Sequence, residues 1–151
     1  MVGHGSIIML IALAAGFGLT ASLLGGLEFI PGIITQFEIP GSPEAWARTH
    51  AGGLLNGIMV LAVAGVLAGM QAGEKLSRQM FWMVAGAGYA NTIFYWMALV
   101  SENRAISFAD NRHGETSIFA VIGLAPAFIF AVVLMVAFFL LMREAFSSAR
   151  G

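Results

Sequence analysis

Four stretches of this chain run without a single Asp, Glu, Lys or Arg: Val2 to Leu27, Thr49 to Gly73, Gln79 to Ser101 and Thr116 to Met142. Each exceeds the roughly 20 residues a helix needs to cross ~30 Å of hydrocarbon at ~1.5 Å per residue. Lipid offers no partner to an open backbone N–H or C=O, so such stretches must satisfy their own hydrogen bonds as helices. The expected fold is therefore all-α. It is a single domain over residues 1–151, an integral membrane four-helix bundle with spans at about 6–27, 50–72, 79–101 and 117–142. Composition agrees: 59% of residues are hydrophobic and 10% charged, a balance foreign to soluble cores.

The same sparseness narrows the chemistry. No cysteine is present, which excludes disulfides, thiolate nucleophiles, Fe–S clusters and thiolate-bound metals. A net charge of −1 without a basic run argues against nucleic acid as a partner. Phosphate loop, dinucleotide fingerprint and His-Glu-x-x-His are all missing. The pair Gly16 and Gly18 lies inside an apolar span and carries no phosphate logic. The first span does not read as a signal peptide, because no Lys or Arg precedes it and the apolar run is too long.

Four spans put both termini on one side of the membrane. That side carries Lys75, Arg78, Arg143 and Arg150; the other carries Arg48, Arg104 and Arg112. The excess places the termini in the cytoplasm, and the expected location is a bacterial inner membrane, crossed several times.

Between the first two spans, Glu28 to His50 holds three of the four prolines. Pro31-Gly32 and Pro40-Gly41 mark turns that bracket an extended piece from Ile33 to Ile39. Ser42-Pro43-Glu44 then reads as a helix start: a capping serine, proline at the first helical position and an acid in the first turn. Trp46 and Arg48 fall at the membrane interface, and His50 two turns in.

His50 is the best ligand in the chain. Gly53 and Gly57 follow it within ~60° on the same helical face. An imidazole beside bare backbone leaves room for a flat molecule, but the same spacing serves a close helix–helix contact, and an interfacial histidine can simply bond a headgroup. The third span carries Asn91 and Tyr95 on one stripe, with Ala87 a turn earlier. Polar groups in mid-span face the protein interior or a wet cavity, and Asn56 on the second span is a candidate partner for that stripe. In the fourth span Pro126 removes an amide and should kink the helix. The loop after the third span repeats Asn103-Arg104 as Asn111-Arg112 and includes His113, a surface suited to anions or headgroups.

Together these residues resemble the bacterial styrene oxide isomerases. The resemblance rests on Gly25 to Gly32, on Ile39 to His50 with its Trp46-Ala47-Arg48-Thr49-His50, and on Asn56-Gly57. Gly3-His4-Gly5, Ala90-Asn91 with Phe94-Tyr95, Ser107-Phe108 with Asn111-Arg112, and Leu124 to Ala127 extend it. It implies a membrane enzyme that rearranges aryl epoxides to aldehydes, as a homotrimer with ferric haem b between protomers. It implies His50 as axial iron ligand, with Trp46, Arg48, Gly53 and Gly57 around the cofactor, and Asn56 and Tyr95 at the epoxide. One departure is Ala87, where well-studied members carry an acid, and it bears on substrate range. The competing class is a small electron-transfer haem subunit, which would need His4 or His113 as a second axial ligand. Another is a membrane packing or carrier protein without haem.

Overall fold

The computed structural model describes residues 1–148; Arg150, one of the charges weighed for orientation, lies outside them. Helix α1 (Val2–Leu24) ends where Gly25 adopts the left-handed conformation (φ 66, ψ 26) and returns its N–H to the Ala21 carbonyl, the usual glycine stop. The chain then forms an antiparallel hairpin, β1 (Gly26–Ile30) and β2 (Ile33–Gln36), turned at Pro31-Gly32. This corrects the all-α expectation. The Pro31-Gly32 turn and an extended piece from Ile33 were legible; the strand before the turn was not, since Gly26 and Leu27 read as the end of the first span and Glu28 to Ile30 carried no strand reading. Only the pairing with Ile33 to Gln36 makes them a strand.

Helix α2 (Pro43–Gly69) starts as expected. Ser42 is the N-cap, its Oγ accepts the Ala45 N–H at 3.3 Å, and Pro43 and Glu44 occupy the first turn. Trp46 Nε1 donates to the Pro40 carbonyl at 2.9 Å, tying the incoming chain to the helix it starts. The third helical stretch departs from expectation. It begins at Glu74 and comprises α3 (Glu74–Met80), a π-helical turn over Phe81–Ala85 and α4 (Gly86–Leu99). A π turn inserts one residue into the backbone ladder, and no charge pattern announces it. Helix α5 (Ile118–Ser148) continues through Pro126.

Helices α1, α2 and α5 are long and apolar enough to cross a membrane. Packing is inverted relative to a soluble protein. α2 packs on α1 and on α4, and α4 on α5, through small residues: Ala120, Gly123 and Ala137 are the buried residues of α5. Large side chains such as Phe17, Phe128 and Met135 stand outside. Small-to-small contacts with apolar exteriors are the pattern of helices packed in lipid.

Candidate active site

His50 is half-buried and turned toward α1. Its Nδ1 lies 2.8 Å from the carbonyl oxygen of Ala12. A carbonyl can only accept, so Nδ1 carries the proton and the lone pair sits on Nε2. The ring rests on Gly16, where an added methyl would come 3.0 Å from His50 Cε1. Two residues further along α1, Gly18 gives the same service to Trp46, whose ring any Cβ would overlap. The two glycines that carry no phosphate logic are thus the seats of His50 and Trp46.

Gly53 and Gly57 are filled from the same direction. Methyl groups on them would meet Ala12 Cβ at 2.7 Å and Met9 Cγ at 2.5 Å. Of the two uses left open for these glycines, the structure realises the close helix contact; within one chain α1 occupies the shelf beside them.

The polar groups expected at a substrate lie elsewhere on α2. Tyr95 of α4 packs on Gly52, whose Cβ would overlap its ring, and Thr49 Oγ1 bonds the Tyr95 carbonyl at 3.3 Å. Asn91 Nδ2 donates to Asn56 Oδ1 at 3.3 Å, the pairing anticipated from sequence. That bond uses the acceptor of Asn56 and leaves its Nδ2 a buried donor with no partner among the described residues. An orphan donor in a buried site is costly, and a bound acceptor would relieve it. At ~100° per residue, Gly52 lies about 160° and Asn56 about 120° from His50 around α2. The structure thus brings Asn56 and the Tyr95 contact to one side of the helix and His50 to the other. Ala87 is closed into packing at 1% exposure, so it offers no open volume beside Tyr95.

The loop from Ser101 to Ser117, expected as a headgroup-facing surface, is organised around one side chain. Asn103 is fully buried. Its Oδ1 accepts the Ala105 N–H at 3.0 Å, and its Nδ2 donates to the Ser107 and Ala109 carbonyls at 3.0 and 3.3 Å. Asn111 Nδ2 bonds the Asn103 carbonyl and Ser107 Oγ, at 3.1 and 2.8 Å. Within this frame Arg104 and Ala105 are held left-handed, at φ 59 and 52, a conformation costing roughly 1–2 kcal/mol per non-glycine residue. Arg48, Arg104 and His113 share a cleft of about 250 Å³ with Phe94, Tyr95, Ala98 and Ile106. Partial burial, and then the guanidiniums of Arg104, Arg112 and Arg48, hold the His113 imidazole below its ordinary range. A roomier cavity of about 470 Å³ lies among Met1, Leu67, Gln71 and Phe81. Its walls carry no acidic, basic or imidazole side chain.

Fold and site define a helical membrane protein that gathers an imidazole, an amide and a phenol around one apolar helix. The sequence profile of the styrene oxide isomerase family matches residues 1–146. A styrene-oxide isomerase of Pseudomonas fluorescens is 43% identical over 135 residues, 89% of this chain and 80% of that relative. The chain belongs to the styrene oxide isomerase family and is an enzyme of the isomerase class.

Proposed function

We propose that the protein converts styrene oxide and related aryl epoxides to aldehydes, phenylacetaldehyde in the case of styrene oxide. It does so in a bacterial inner membrane, as a homotrimer of four-helix transmembrane bundles with haem b between protomers. Family membership supports the epoxide chemistry. The observation that carries the haem is the His50 hydrogen bond to Ala12. An imidazole held by one nitrogen, with its lone pair on the other, has the orientation and tautomer of an axial ligand. The chain has no cysteine to offer a thiolate instead, and His4 is engaged by the Tyr89 hydroxyl.

Ferric haem, when bound, supplies a Lewis acid for the epoxide oxygen. The chain supplies what surrounds that oxygen. As the bond to the benzylic carbon breaks, charge grows on oxygen, and the Tyr95 hydroxyl and Asn56 Nδ2 donate hydrogen bonds to it. Asn91 holds the Asn56 amide in the donating pose. Hydride then moves from the oxygen-bearing carbon to the benzylic one, and the carbonyl forms. Reactant and product hold the same atoms and electrons, in keeping with a chain that has no nucleotide-binding motif. Apolar walls keep water from capturing the cation.

The two sides of α2 support a site shared between copies. One chain cannot place His50 and the Tyr95–Asn56 pair on opposite faces of one flat cofactor, because α2 itself stands between them. A neighbouring copy can provide the second face. Electron transfer through two axial histidines has no observation in its favour. His4 Nδ1 bonds the Tyr89 hydroxyl at 3.0 Å, eight residues or about 12 Å along α1 from Ala12. His113 sits in the cleft across α2.

The test is an absorption spectrum of purified protein with and without an aryl epoxide, beside product analysis and native mass spectrometry. A haem trimer that yields aldehyde is expected. A colourless protein that isomerises overturns the haem, and haem-loaded monomers overturn the shared site.

A further inference from the structure

Helix α2 meets α4 along one stripe. Around α2, Gly52 lies ~60° and Asn56 ~20° from Thr49, so the three residues face α4 together. Thr49 Oγ1 reaches the Tyr95 carbonyl at 3.3 Å, Gly52 seats the Tyr95 ring, and Asn56 accepts from Asn91. A methyl on Gly52 would come 2.7 Å from the Tyr95 hydroxyl oxygen, so the seat lies under the polar end of the ring. Thr49 itself is 2% exposed and closed off from any ligand. Its hydroxyl bonds the Ala45 carbonyl of its own helix at 2.9 Å, the ordinary way a helical threonine uses its one proton. The second acceptor, on another helix and 46 residues away in the chain, is not needed for that.

We infer that Thr49 is a positioning residue for the isomerisation: its shared proton fixes the backbone of Tyr95, so that the ring on Gly52 presents its hydroxyl at one place. This rests on the proposed role of Tyr95 as a donor to the opening epoxide. A donor aimed at developing charge works over about 2.7–3.1 Å, and a misplacement of about 1 Å costs on the order of 10² in rate. The ring of Tyr95 is held from below by Gly52 and edge-on by Phe94, with centroids 5.4 Å apart. Those contacts set its plane but let it slide along the helix axis, and the backbone bond to Thr49 removes that freedom. The fold does not depend on this bond. One turn before Thr49, Ala45 and Trp46 pack on Leu99 and Trp96; two turns after it, Asn56 holds Asn91. Thr49 is the tie between those two, and it falls at the residue whose hydroxyl must be aimed.

The test uses full-length detergent-purified protein turning over styrene oxide, with rates taken per chain. Wild type is compared with Thr49→Val, Thr49→Ser, Tyr95→Phe and the double variant Thr49→Val with Tyr95→Phe. Valine keeps the shape of threonine and removes the donor; serine keeps the donor and loses a methyl. Thr49→Val should lower kcat on the order of ten times with KM unchanged, because the bond aims a group that acts only in the transition state. Thr49→Ser should recover most of that loss. With Tyr95→Phe in place no hydroxyl is left to aim, so adding Thr49→Val should cost nothing further. A wild-type kcat in Thr49→Val, or an equal loss with and without the Tyr95 hydroxyl, overturns the inference and leaves the role of Tyr95 standing. Serine doing no better than valine overturns it as well. A Tyr95→Phe protein at the wild-type rate overturns the Tyr95 reading, and the inference with it. Should the valine variant fail to accumulate, Thr49→Ala against Thr49→Ser makes the same comparison, since the two differ by the hydroxyl alone.

Discussion

His50 Nδ1 stands 2.8 Å from the backbone carbonyl of Ala12, one full span away in sequence. No side chain at position 12 makes this bond, so its geometry is set by how closely α1 and α2 approach. Gly16, Gly53 and Gly57 set that approach. The His50 imidazole is therefore oriented by helix packing.

Gly16 offers the first test. A methyl there lies 3.0 and 3.1 Å from His50 Cε1 and Nδ1, so alanine asks the ring to shift by a few tenths of an ångström, and valine forces it off the Ala12 carbonyl. Gly16→Ala should keep haem with a small Soret shift, and Gly16→Val should lose most of it. A Gly16→Val protein with native haem content and spectrum would show that the carbonyl bond does not position the ligand.

Asn56→Ala and Tyr95→Phe should each retain haem and slow turnover by on the order of 10², as removal of one donor to a developing oxyanion does. Asn56→Ala should also leave Asn91 without its partner. Its stability loss should nevertheless stay small, because the orphan donor is removed with the bond. Rates equal to wild type in both variants, at matched haem content, would remove the two side chains from the reaction.

Gly52 is the seat of Tyr95, and any Cβ there overlaps the ring. Gly52→Ala should displace the tyrosine and lower kcat while the Soret band stays native, because His50 lies on the far side of α2. Simultaneous loss of haem would contradict the division of the site between the two faces.

The parts legible in the sequence are those whose signal is local. Charge-free runs gave the membrane helices, and Ser42-Pro43-Glu44 gave the start of α2 to the residue. Asn56 and Asn91 were paired because two amides in apolar spans have few other partners. What stayed hidden depends on contacts distant in the chain. Leu27 to Ile30 become a strand only beside Ile33 to Gln36. Gly53 and Gly57 look like an open shelf until α1 is laid against them. The Ser101 to Ser117 loop reads as a polar connection until Asn103 is seen at its centre. Ala87 shares a stripe with Asn91 and Tyr95, yet the stripe winds into packing before reaching it.

His113 titrates below its ordinary value of 6.5 because of partial burial and the neighbouring Arg104, Arg112 and Arg48. With the folded value depressed, its neutral form contributes to stability above the ordinary value, and that contribution is lost as pH falls through the folded one. Arg104→Gly should move the titration upward by removing the charge that lowers it most. Histidine-labelled NMR of the two proteins measures this directly; an unchanged midpoint would place Arg104 away from the imidazole.

His50→Ala should abolish native haem binding and isomerase activity together. The imidazole is fixed at one nitrogen by Ala12, so the other is presented at a set angle without cost at the moment of binding. It stands eight residues, about 12 Å, beyond the Ser42 cap, at the edge of the hydrocarbon, where an unpaired polar ring is costly. The remaining histidines are committed: His4 to Tyr89, His113 to the arginine cleft. Alanine variants of all three, compared by Soret band and epoxide turnover, decide the matter. His113→Ala should keep the iron ligation of wild type, and His4→Ala should disturb only the Tyr89 end of the bundle. Full haem occupancy with a native spectrum in His50→Ala would end the assignment, and loss confined to His4→Ala would move it there.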